Sequence, residues 1–138
     1  MILGWVCRVC GAEVDVARPF SWTCPSAGAD DPHHVLRLVD DGVESEIIDD
    51  ANPFVRFARR MAWFAFAVGN GMSEAAALSL ARSVARGFLV TPFAVNAPLS
   101  ERFGVEVWVK DETAQLAGSH KARHLVSVML HLRVAEEL

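Results

Sequence analysis

The sequence predicts an α/β chain, rich in helix, with a small β-ribbon at its N-terminus. Three observations point there. Residues 1–50 alternate short apolar stretches with turn residues around Cys7-Arg8-Val9-Cys10-Gly11. Helix-start signals precede apolar runs at Asn52 and again at Ser73. Val105–Glu112, reading VEVWVKDE, opens with the period-2 alternation of a half-buried strand, and an apolar helical stripe follows it.

Residues 1–50 form a first segment, a cysteine-containing ribbon that runs into an acidic linker over Asp40–Asp50. Residues 51–138 form a second segment. Asn52 can cap a helix and Pro53 suits its first position. Phe54, Phe57, Ala58, Met61, Trp63, Phe64 and Ala65 then supply apolar positions, and Trp63, Phe64 and Phe66 read as core. Arg56, Arg59 and Arg60 should reach solvent. This predicts one helix to about Val68, ended by Gly69-Asn70-Gly71. Ser73 caps the next helix, with Glu74 in its first turn, a buried face at Ala77, Leu80, Ala81, Val84 and Ala85, and Gly87 as its stop.

Residues 88–104 read as a turn-rich connection with a short helical piece at Leu99–Phe103. Val105–Glu112 is the best strand, and no later strand is available to pair with it. A loop at Thr113–Gly118 leads to a long helix from Ser119. Its expected apolar stripe is Leu125, Val128, Met129, Leu132 and Val134 or Ala135, with His124 and His131 at the surface or a helix end.

Composition excludes some functions. The 138 residues carry a net charge of -4, which argues against nucleic-acid binding through bulk positive charge. The longest apolar run, Met61–Val68, falls far short of the roughly 20 residues of a membrane span. The N-terminus lacks the basic start of a secretory signal. Three cysteines, two of them spaced C-x-x-C, suit a reducing compartment. A cytoplasmic protein without nucleic-acid or membrane partners is expected.

Cys7-Arg8-Val9-Cys10-Gly11 has the spacing of half a zinc ribbon. Cys24 offers a third thiolate, and His33 or His34 in Asp31-Pro32-His33-His34 a fourth ligand, with His33 taken as the primary candidate. The competing account makes the cysteines small buried apolar residues and leaves the histidines exposed in a turn.

Gly118-Ser119-His120-Lys121 raises a different chemistry. Gly118 permits close backbone approach, and Ser119 can cap the helix or serve a ligand oxygen. Lys121 falls in a first turn, where the helix field favours anions. That field disfavours the ammonium form, and a neutral amine is what Schiff-base chemistry needs. A solvated helix start is the alternative.

Thr91-Pro92-Phe93, the strand ending Lys110-Asp111-Glu112, and Gly118-Ser119-His120-Lys121-Ala122-Arg123 follow one another in an order and spacing that resembles the fold-type-II pyridoxal-phosphate enzymes, the tryptophan-synthase-β-like superfamily. Threonine synthase and its relatives are the closest resemblance, with a pattern of T-P-L, then x-K-x-E, then N-P-T-G-S-F-K-D-R. His120 in place of Phe resembles the G-A-H-K of tryptophan synthase β. Ala122 replaces the family Asp, and Gln115-Leu116-Ala117 replaces N-P-T.

The resemblance implies pyridoxal 5'-phosphate bound covalently to Lys121, which also shuttles the substrate α-proton. Gly118, Ser119 and His120 would then lie against the cofactor, with His120 near its phosphate. Several threonine synthase relatives also open with C-x-x-C-G. The implied function is a lyase or synthase acting on a small-molecule amino acid. Alternatives are a threonine dehydratase or tryptophan-synthase-like β-replacement enzyme and, from another class, a non-catalytic zinc-ribbon interaction module. The family's glycine-rich phosphate loop lies beyond its lysine helix. The expectation is therefore an N-terminal portion or truncated product, a weak cofactor binder alone, with an apolar face that promotes association; the enzyme would be a homo-oligomer.

Overall fold

The computed structural model describes every residue except Pro32. It shows a mixed α/β domain with five α-helices and, among the described residues, two small antiparallel sheets.

The first sheet comprises β1 (Ile2–Cys7), β2 (Glu13–Asp15) and β3 (Leu36–Asp40), in the order β2-β1-β3. Trp5 lies opposite Val14 on one side and Leu38 on the other. Gly4 is required at its place, because an added Cβ would meet the Val14 carbonyl oxygen at 2.2 Å. The cysteine knuckle turns β1 into β2: Gly11, at φ 73°, donates its N–H to the Cys7 carbonyl. Glycine tolerates that left-handed backbone without strain.

The linker expected at Asp40–Asp50 is strapped to the helices. Arg59 pairs with Glu46 and Glu74, Arg60 with Glu44, and Arg82 with Asp50. Such exposed pairs contribute about 0–1 kcal/mol each. The Ile48 N–H also donates to the Arg56 carbonyl, and the Ile48 side chain packs on the core.

The single helix expected over residues 52–68 is instead three pieces: α1 (Pro53–Arg56), a 3-10 turn at Ala58–Arg60, and α2 (Ala62–Gly69). The breaks fall at Phe57 and at Met61, which is extended. The cause is burial. Trp63, Phe64, Ala65, Phe66 and Ala67 are all buried, and five consecutive side chains point all round a helix. Re-aiming the axis lets α2 lie inside the core while Phe54, Val55 and Ala58 also reach it. The Asn52 cap and Pro53 start are as expected, with Asn52 accepting from the Phe54 N–H.

Ser73 likewise caps α3 (Glu74–Val84). Residues 93–95, read as connection, form β4 (Phe93–Val95). It pairs with β5 (Trp108–Lys110), the short realised part of the expected strand. Between them α4 (Ala97–Phe103) is capped by Asn96 and ends at Gly104 in the left-handed region.

The last helix, α5 (Lys121–Glu137), buries Val126, Leu130, His131 and Val134. The expected stripe holds at its end, where Val134 is buried and Ala135 packs on the core, but is out of phase before it: Leu125, Met129 and Leu132 are exposed while Val126 and Leu130 are buried. His131 is core, not surface, because its ring stacks on Phe66. One apolar cluster runs from Ile2 and Val16 of the ribbon through α2 to Leu130 and Val134. No helix is long and apolar enough to cross a membrane.

Candidate metal centre and lysine segment

The ribbon folds Cys7, Cys10, Cys24 and His34 into one group whose ligand atoms all lie within 4.8 Å of one another. Cys10 Sγ is 3.6 Å from Cys24 Sγ, and Cys7 Sγ is 3.4 Å from His34 Nδ1. A tetrahedral zinc with ordinary bond lengths would set S···S at about 3.8 Å and S···N at about 3.5 Å. The donors therefore fit a metal ion such as zinc.

The fourth donor is His34 and not His33, which is exposed and outside the group. Strand register explains the choice. Leu36 pairs with Cys7 at the end of β3, and the Arg8 N–H donates to the Val35 carbonyl just before it, which leaves His34 beside Cys7. Alternation back from Leu36 was the signal in the sequence, but it requires knowing the pairing.

Backbone N–H groups reach two of the three sulfurs. The Val9 N–H donates to Cys7 Sγ and the Ser26 N–H to Cys24 Sγ. Backbone bonding at Ala12, working against burial, brings Cys10 down to about 7. Burial pushes Cys7 up, but the backbone of Cys10 and Val9 overcomes it and leaves the thiol below its usual value. Burial holds Cys24 above its usual value. The Cys7 thiol, with Asp31 beyond it, raises His34. Asp31 Oδ2 lies 3.2 Å from His34 Nε2, the carboxylate support that orients metal-bound imidazoles. Cys10 is exposed, so a small buried apolar role does not account for it.

Before α5, a 3-10 turn at Leu116–Gly118 delivers the chain to Ser119. Ser119 Oγ accepts from the Lys121 N–H at 3.2 Å. Lys121 is the first residue of α5 and is exposed, as are Gly118 and His120. The amides that follow are used locally: Ala122 donates to the Ser119 carbonyl and Arg123 to that of His120. The lysine amine is thus open, while these first-turn amides have partners within the chain. The other lysine, Lys110, donates to the Thr91 carbonyl.

Arg123 turns inward. Its Nε donates to Glu112 Oε2 at 2.9 Å, and its Nη2 donates to Thr91 Oγ1 at 3.1 Å and to the Leu89 carbonyl at 3.0 Å. Thr91 Oγ1 donates to Glu112 Oε1 at 2.6 Å. Hydrogen bonds from Arg123 and then Thr91 hold the Glu112 carboxyl below the usual carboxylate range. Gln115, which stands where the resembled pattern has N-P-T, is buried and pairs with both backbone groups of Leu89. Helix α5 also reaches the ribbon: Trp5, Trp22 and Leu36 share a cleft with His124 and Val128.

No family model, curated protein or solved structure matches the chain.

Proposed function

We propose that the chain carries the cofactor-lysine segment of a pyridoxal-5'-phosphate-dependent lyase or synthase acting on an amino acid, similar in kind to threonine synthase, braced by a metal-held ribbon. The observation in favour is the meeting of Thr91, Glu112 and Arg123. One comes from each of the three segments that carry the resemblance, and they form one hydrogen-bonded group. Separate solvated turns would have no reason to converge.

In this reading Lys121 is the cofactor lysine and moves the proton at the substrate α-carbon. Its open amine suits that role. When bound there, the cofactor would supply an electron sink. Gly118, Ser119 and His120 shape the approach to Lys121. Three thiolates and one imidazole make a closed set with no position for substrate, so the metal's role is structural.

Borohydride reduction of the full-length gene product with pyridoxal 5'-phosphate tests this. A pyridoxyl group mapped to Lys121 supports it; none, or one on Lys110, overturns the site.

A second reading has its own observation. The Cys7, Cys10, Cys24 and His34 group equally suits a zinc-ribbon interaction module without catalysis. A full-length protein that binds zinc but never acquires the pyridoxyl group would favour that module.

A further inference from the structure

The first turn of α5 begins Lys121-Ala122-Arg123-His124 and contains no acidic residue. Two cations thus sit where the helix field favours anions. The local cap is weak as well: Ser119 Oγ to the Lys121 N–H is 3.2 Å, and the Ser119 carbonyl to the Ala122 N–H is 3.3 Å. Something outside the helix must hold this turn.

We propose that Glu112 is a positioning residue for Lys121: through Arg123 it lends the first turn of α5 the carboxylate that the helix lacks, and so fixes the flank on which the lysine stands. This rests on Lys121 being the cofactor lysine.

Glu112 lies just past β5, on a different element from the helix it serves. Its side chain is 15% exposed and that of Arg123 is 26% exposed, so solvent screens the pair less than a surface pair. Each carboxylate oxygen has its own donor, Oε2 from Arg123 and Oε1 from Thr91. Lys110 Nζ adds a second cation 3.8 Å from Oε1. Arg123 also reaches the Leu89 carbonyl, so one guanidinium joins α5 to both segments before it.

Geometry carries this to the lysine. Residues two apart on a helix are separated by about 200°. With Arg123 drawn inward, Lys121 faces the opposite flank, where it is exposed. A turn free to rotate or fray would present the amine in no fixed direction.

The test uses Glu112→Gln in the full-length gene product. Amide exchange at residues 121–124 should quicken about tenfold, the scale of one lost charge-assisted bond. Exchange at Leu130 should quicken only by the loss of global stability and stay strongly protected, which also reports that the variant folds. Labelling of Lys121 by pyridoxal 5'-phosphate and borohydride should fall severalfold relative to Lys110. The exchanged pair, Glu112→Arg with Arg123→Glu, should restore both readouts, because it returns an anion to the helix start.

Unchanged exchange at 121–124 in Glu112→Gln, or no restoration by the exchanged pair, would overturn the proposal. A wild type whose Lys121 takes no label would instead overturn the cofactor reading. The clamp itself is then decided by exchange alone.

Discussion

The imidazole of His131 stacks on the ring of Phe66, with centroids 4.1 Å apart and planes 20° from parallel. Its Nε2 accepts from the Phe20 N–H at 3.4 Å, and Phe20 and Trp22 close over it edge-on or tilted. The helix that begins with Lys121 is thereby joined to the loop that leads from the ribbon to Cys24.

Burial lowers the His131 pKa, so the folded state favours neutral imidazole. The unfolded chain takes up a proton near the ordinary value of about 6.5. Stability from neutral burial is therefore complete above that pH, and falls as pH drops toward the folded value. Urea unfolding of wild type minus His131→Phe should show this loss in the window that opens as pH falls below roughly 6.5. Subtraction removes the pH dependence of the metal site, which both proteins share. A difference that stays flat across the window would refute a buried neutral His131.

Metal content should depend on the four ligands and not on their neighbour. Protein purified without chelator should contain zinc, and Cys7→Ser, Cys10→Ser or Cys24→Ser should lower it. His33→Ala should retain it and His34→Ala should not. Asp31→Ala should keep the stoichiometry but weaken affinity by about 10- to 100-fold, as loss of a supporting carboxylate does. Metal analysis with a competing chelator reads all of these. Equal zinc in His33→Ala and His34→Ala would remove His34 from the centre.

These contrasts show which parts of the chain were legible in its sequence. Caps are local, so Asn52 with Pro53 and Ser73 with Glu74 could be read directly. The C-x-x-C-G knuckle is equally local, and it forms. Choices made by distant partners were not legible. His34 is selected over its neighbour by the β3 register. The break at Met61 follows from a core that accepts five consecutive side chains of α2. The phase of α5 is set by where Phe66 lies. The partner of β5 escaped because three residues at Phe93–Val95, all exposed, lack a buried alternation to announce a strand.

The phase of α5 can be tested with two leucines on the same helix. Leu130 is fully buried and Leu125 is 64% exposed. Leu130→Ala should cost about 2–5 kcal/mol, and Leu125→Ala about 0.5 kcal/mol or less. Denaturant midpoints at fixed zinc compare them. The stripe read from the sequence contains Leu125 and not Leu130, so the reverse ranking would restore that phase.

The acid limb of stability should report Glu112. The Arg123 guanidinium, with the Thr91 hydroxyl, lowers its folded pKa. A lowered carboxylate pKa gives stability that is fully present above the unfolded value of about 4.3. It disappears as pH falls through the folded value, because the carboxyl must then be protonated in both states. At pH 7, Glu112→Gln should lower stability, since it leaves Arg123 without its anion. That gap should close as the pH is lowered beneath about 4.3. Asp41 and Asp111, whose carboxyls are also held low by their own partners, remain in the variant and cancel in the difference. The measurement is unfolding free energy against pH for the two proteins. A gap as wide in acid as at neutrality would mean that the amide fails for reasons of packing, and that the charge of Glu112 does not hold the start of α5.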